Sequence, residues 1–414
     1  MPEPLLLKTI DISKAGLRSK MLIGDLDGDG RRELLMVQGD GGIDDRYIPH
    51  QVVCLTAFTL DGELLWQVGA PHLEPGRHGS DFPAQIYDID GDGFNEVLCV
   101  MDKQFLVLDG KTGSIRQAYP LPDPFAHDCI IIANLTGNAY PQDIILKNRY
   151  RQMWALDHKF NLLWTHVGNI GHYPWVYDFN NDGKDEVMAG FDFLDANGRK
   201  LWSSTLADHA DCIWVGPVLD GSTDPYLVIG GSSTAMYDRH GNEIWRYDDC
   251  RESQHVALGR FRPDLPGLQV AGVDRIDRSR TGKDGIFLLD AMGKELAKEY
   301  RQTIGWASII DTLTAWDGSG QDYILAFRRG PGVLPGIYDG YLNKVVEFPA
   351  QGLAVHGKLV EHGSECVIIY NQDQAYIYAG IWHDLSRASG KPLPQDKRLY
   401  NSTLYPGGEY GKFW

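Results

Sequence analysis

Apolar residues along this chain gather in short runs, such as Met21-Leu22-Ile23 and Leu34-Leu35-Met36-Val37, each cut off by glycine-rich or acidic residues. Runs of that length with such punctuation predict short β-strands joined by tight turns rather than amphipathic helices. The order of runs and turns then repeats. An apolar strand ends in a polar turn, a second strand follows, and a hairpin closes the unit with a Leu-Asp…Gly turn, often followed by Trp. Leu60-Asp61-Gly62 with Trp66, Leu108-Asp109-Gly110, and Leu194-Asp195 with Gly198 and Trp202 are copies of that hairpin.

Units of roughly 40 to 50 residues with four short strands have the period of a propeller blade, not of a helical solenoid. A third unit keeps the strands but carries Asn134-Leu135-Thr136-Gly137-Asn138 in the first turn, and weaker copies occupy 211–247, 254–300, 304–348 and 353–380. The last copy holds three strands, and the alternating stretch 5–12 supplies the fourth, which leaves no open sheet edge. The expectation is all-β: a single closed β-propeller of eight four-stranded antiparallel blades over 1–380, or seven if one weak unit is a decorated loop. An irregular tail, 381–414, packs on it.

The polar turns of the first, second and fourth units carry a chemistry of their own. Asp25, Asp27, Asp29 and Glu33 place side-chain oxygens at positions one, three, five and nine, with Gly30 allowing a tight turn. Asp88, Asp90, Asp92 and Glu96 repeat the spacing, as do Asp178, Asn180, Asp182 and Glu186. Hard cations take six to eight oxygens in such loops, so calcium is the expected cofactor. Plain carboxylate-capped turns are the competing reading. These turns follow the first strand of each unit, which puts them on the face opposite the segments that enter those strands and makes them structural staples.

Composition changes the picture in two ways. A net charge of -17 on 414 residues argues against nucleic acid or an anionic membrane as partner, and no apolar run is long enough to span a bilayer. Six cysteines stand singly inside apolar runs with no metal-ligand spacing, and so read as buried free thiols.

Against that acidic background, the segments entering the first strands hold His78, His127, His172 with Tyr173, His209 with Asp211, His255 and His356, which are six of the 13 histidines. Loops between second and third strands add Arg46, Arg149, Tyr150, Arg151, Arg275 and Arg328. Arg matches carboxylates and His and Tyr exchange protons near neutral pH, so this face suits an acidic oligo- or polysaccharide. The set fits β-elimination in a uronate chain. His127 or His172 is the candidate base, Tyr150 an acid or base, and Arg149 or Arg151 the carboxylate clamp, with His78 one unit earlier; Arg46, Tyr173, His209, His255, Arg275, Arg328 and His356 are candidate substrate contacts. A variant lets three or four of the histidines hold a transition metal.

The acidic turns resemble the calcium-binding repeats of FG-GAP or VCBS type found in integrin-like propellers and in propeller polysaccharide lyases such as the rhamnogalacturonan lyases. The resemblance implies a calcium-binding propeller and a monomeric lyase acting on a uronic-acid polymer that contains rhamnose. Repeat motifs specify fold better than activity. A non-catalytic glycan- or protein-binding propeller is the main alternative. The hairpins also look like those of quinoprotein dehydrogenases, a weaker match without an adjacent Cys pair. Compartment stays open between export and the cytoplasm.

Overall fold

In the computed structural model, which describes residues 3–40, 51–75, 81–274, 285–300, 309–314, 316–327 and 333–401, the apolar runs become the strands they predict. The chain divides into two compact units, one built on Gly168–Ala354 and the other on Leu6–Val167 with the chain after Val355. In the first, Trp175–Tyr177, Glu186–Ala189, Asp192–Leu194 and Lys200–Ser203 form a four-stranded antiparallel sheet, and three similar sheets follow, starting at Cys212, Ser253 and Ile309. In the second, sheets start at Lys20, Ala84 and Ile130, the first two joined by one parallel bridge between Val52 and Met101. The fourth runs Leu5–Asp11, Gln374–Ala379, Glu365–Tyr370, Leu353–Lys358, so the N-terminal strand does complete the last sheet.

The hairpin motif has a packing reason. Trp66 Nε1 donates to the Gly110 carbonyl of the next hairpin at 2.7 Å, and Trp202 and Trp245 donate likewise to Arg239 and Ala291 at 3.0 and 3.1 Å. The glycine of that next hairpin lies under the indole. A Cβ on Gly113, Gly241 or Gly293 would come within 2.8, 2.7 and 2.6 Å of Trp66, Trp202 and Trp245, and all three have positive φ. Trp in one unit and Gly in the next are therefore one contact seen twice in the sequence. Truncating Trp66, 8% exposed in its cluster, would cost about 3–5 kcal/mol.

All six cysteines are buried and free, and burial pushes the Cys212 thiol up to about 12, so they are packing residues. The tail is tied down in its own unit: Gly390 N donates to Asp29 O (2.8 Å), Leu393 N to Asp25 Oδ2 (2.7 Å) and Gln395 Nε2 to Ile23 O (2.7 Å) before a short helix, Lys397–Tyr400. Among the described residues no helix is long and apolar enough to cross a membrane.

Candidate functional site

Within a sheet the entering segment and the polar turn lie at opposite ends of the first strand, as His172 and Asp178 do around Trp175–Tyr177. The acidic turns are alike in backbone and differ in how the buried acid is met. In the first, Asp25 accepts from Gly28 N and Gly30 N at 2.8 and 3.0 Å, and Glu33 Oε2 accepts from Leu26 N at 2.8 Å. Glu33 is fully buried and its Oε1 has no hydrogen-bond partner. Burial, then the Asp27, Asp25 and Asp29 carboxylates, push it up to about 8. Oxygens of Asp25, Asp27 and Asp29 lie within 4.8 Å of one another.

In the second turn Asp88, Asp90 and Glu96 converge similarly, but Arg116 Nη1 stands 2.6 Å from Glu96 Oε1. In the fourth, Asn180 Nδ2 donates to Glu186 Oε1 at 2.5 Å, and burial pushes Glu186 up to about 7. The third turn is self-contained, with Asp143 accepting from Leu135 N, Thr136 N and the Thr136 hydroxyl.

At the other end of the strands, two entering segments of one unit are laced together. His172 N donates to Ala210 O at 2.9 Å, and Asn169 Nδ2 to Asp208 O at 2.5 Å. Gly171 has φ +62 and a Cβ there would meet Ala210 O at 2.6 Å, so only glycine permits the approach. The result is a cluster: His172 Nε2 and His209 Nε2 lie 3.1 Å apart, and Asp211 Oδ1 is 3.5 and 3.3 Å from them. Asp208 Oδ1 meets His209 Nδ1 at 2.8 Å, and Gln254 Nε2 donates to Asp211 Oδ1 at 2.7 Å.

His172, Asp211 and Gln254 are buried, while the His209 side chain is 20% exposed, so the cluster opens to solvent through His209. Burial opposes a charge on His209, but Asp211 and Asp208 outweigh it and lift the imidazole to about 9. It carries a proton at neutral pH. His172, His209 and Asp211 are also within 4.8 Å as candidate metal ligands, and two imidazoles with one carboxylate suit a divalent transition cation better than calcium.

The other expected residues divide. His127, the alternative base, is 1% exposed, with its ring 5.9 Å from that of Phe125. Its neighbour Asp128 forms a buried ion pair with Lys147, which sequence reasoning missed because it ends an apolar strand, Asp143–Lys147. Burial opposes the Lys147 charge, and Asp128 outweighs it and holds the amine protonated. Lys147 Nζ also donates to Arg149 O at 3.0 Å, and Arg149 lies 5.0 Å over the Tyr150 ring, while Arg151 is exposed.

Two further expectations are corrected. His255 and His356 sit inside the strands Ser253–Gly259 and Leu353–Lys358, not before them. His255 Nδ1 is 2.8 Å from Ile310 O, and His356 is buried with Nδ1 3.7 Å from Glu365 Oε2. Both are held in the sheet. Tyr173 follows His172, half-buried. His78, Arg46, Arg275 and Arg328 lie outside the described residues.

No protein-family model matches the chain. The fold is shared with solved β-rich structures: that of the exotype rhamnogalacturonan lyase YesX superposes with a TM-score of 0.66 at 19% identity, covering 91% of this chain and 74% of that one. In sequence, the chain is 23% identical over 371 residues to the rhamnogalacturonan exolyase YesX of Bacillus subtilis, covering 72% of this chain and 57% of the relative. The rhamnogalacturonan endolyase YesW of the same organism is 25% identical over 259 residues, 48% of this chain and 41% of the relative. The chain thus spans about half the length of the curated relatives it matches.

Proposed function

We propose that this chain is a polysaccharide lyase that cleaves a rhamnogalacturonan-type, uronate-containing chain by β-elimination, with His172, His209 and Asp211 as its reaction centre. The observation that carries the reading is the convergence of two imidazole nitrogens and a carboxylate oxygen within 3.1–3.5 Å at a half-open site. The named activities of YesX and YesW support the substrate class. In the reaction, His172 takes the proton from C5 of the uronate, the electron pair forms the C4–C5 double bond, and the C4–O bond breaks onto the leaving oxygen. His209, cationic at rest, protonates that oxygen. A proton shift across the 3.1 Å gap between the two Nε2 atoms resets the pair. Asp211 and Asp208 hold the charge.

If a divalent transition cation binds, His172, His209 and Asp211 are its ligands, and it supplies the charge that neutralises the uronate carboxylate. Architecture and cofactor follow the same reading: the sheets are blades of one closed eight-bladed propeller, for which the pairing of Leu5–Asp11 with the C-terminal strand is support, and calcium is held by the first acidic turn, for which the partnerless Glu33 oxygen is support.

The test is incubation with rhamnogalacturonan, homogalacturonan and alginate, read at the ultraviolet band of the unsaturated product. Absorbance is expected to rise on rhamnogalacturonan and to be lost in His209→Ala. A flat panel sinks the lyase, and activity that survives His172→Ala and His209→Ala together sinks the site. Activity lost on chelation and restored by manganese or zinc but not calcium selects the metal form.

A further inference from the structure

The three acidic turns share a spacing, yet one of them already contains a cation of the chain's own. Arg116 Nη1 is 2.6 Å from Glu96 Oε1, 3.5 Å from Asp90 Oδ2 and 3.6 Å from Asp92 Oδ2, facing three of the four carboxylates that would ligate calcium. The guanidinium is held from behind as well: Nε and Nη2 donate to Asp109 Oδ2 at 3.1 and 2.6 Å, and Asp109 is in turn fixed by Thr112 N and Oγ1, both at 2.8 Å. Asp109 and Arg116 belong to one hairpin, so a local element delivers the charge into the turn.

Among the described residues no other acidic turn has an arginine against its buried glutamate. In the first turn Arg31 Nε reaches one carboxylate, Asp29 Oδ2 at 2.9 Å, while its Nη1 goes to Asp61, and Glu33 Oε1 is left without a partner. In the fourth, the Asn180 amide, uncharged, meets Glu186.

We infer that Arg116 is the resident cation of the second acidic turn, so that calcium must displace a guanidinium there and binds weakly, whereas the first turn is left to the metal. The inference deepens the calcium reading of the turns and corrects its extension to Asp88, Asp90, Asp92 and Glu96. The physical conflict is direct. Calcium requires six to eight oxygens at about 2.3–2.6 Å. A nitrogen at 2.6 Å from Glu96 Oε1 occupies that shell, and an arginine stays charged at every working pH. If the turn is free of Arg116 only about a tenth of the time, its apparent dissociation constant rises about tenfold.

The experiment counts calcium on the full chain by native mass spectrometry and measures affinity by calorimetry, for wild type, Arg116→Gln, Arg116→Lys, Glu96→Gln and Glu33→Gln. Arg116→Gln is expected to bind one calcium more than wild type, or one of them about tenfold tighter. Adding Glu96→Gln to it should abolish the gain, and Arg116→Lys should stay near wild type. An unchanged profile for Arg116→Gln overturns the inference. Should Arg116→Gln not fold, wild type against Glu96→Gln decides: loss of a tight calcium overturns it, and an unchanged tight count supports it. Glu33→Gln separates the two readings, because failure to lose a calcium there removes the metal from the first turn and leaves the Arg116 result standing.

Discussion

Asp128 and Asp211 occupy the same backbone position in two sheets. Asp128 follows a histidine directly and Asp211 one residue later, and each donates its N–H at 2.9 Å to the carbonyl of the residue that ends the second strand. In one sheet that residue is Lys147, in the other Gly230. The lysine pairs with Asp128 and closes the position; with glycine, Asp211 turns to His172, His209 and Gln254 instead. A Cβ on Gly230 would stand 2.7 Å from Ser253 O, so the second arrangement has no room for a side chain there. The difference teaches that one residue on the neighbouring strand sets what the aspartate meets: lysine gives Asp128 a buried countercharge, and glycine leaves Asp211 to two imidazoles and an amide.

The largest expected effect tests the closed position. Lys147→Met leaves Asp128 buried without its countercharge, which should cost about 3–5 kcal/mol, read as a fall in the denaturant midpoint. The double variant Asp128→Asn with Lys147→Met should recover most of it. A loss below about 1 kcal/mol would place the pair among weak surface bridges and break the comparison. Next comes the open position. Asp211→Asn should lower the lyase rate about 100-fold with an unchanged melting temperature, since the imidazolium loses its countercharge. Equal loss of activity in Asp128→Asn would show that the two positions are not different in kind.

The four-stranded sheets were legible because their signals are local: strand runs, acidic turns and the Trp and Gly of successive hairpins all lie within a few residues. The pairing of the first strand with the last was legible too, from a missing strand at one end and a spare one at the other. The candidate site was legible only as a set of histidines. What sorts them is non-local. His127 and His209 look alike in sequence, and Lys147, which decides the first, lies 19 residues past Asp128 in an otherwise apolar strand. Gln254 carried no signal, as it sits in the next sheet. His255 was misplaced because the strand Ser253–Gly259 begins earlier than its apolar run, with an irregular register between Ser253 and His255.

Two smaller predictions probe how the open position is held. Gln254→Ala removes the donor to Asp211 Oδ1, a buried positioning contact, and should reduce the rate about tenfold. Its substrate KM should be unchanged, because Gln254 is buried and touches Asp211 rather than solvent. A raised KM with unchanged kcat would make it a substrate contact.

The smallest effect belongs to Asp208, 60% exposed, whose pull on His209 Nδ1 is weakened by water. It sits at φ +67, a conformation that asparagine tolerates, so Asp208→Asn keeps the loop and the size while removing the charge. A loss of about threefold is expected, with the alkaline limb of the pH–rate profile moved to lower pH, because the proton on His209 is held less firmly. A merely structural Asp208 would change the rate without moving that limb, and Asp208→Ala, disfavoured at φ +67, would then lose more than Asp208→Asn. Movement of the limb in Asp208→Asn, and none in Asp128→Asn, would tie the open position to proton handling and leave the closed one to packing.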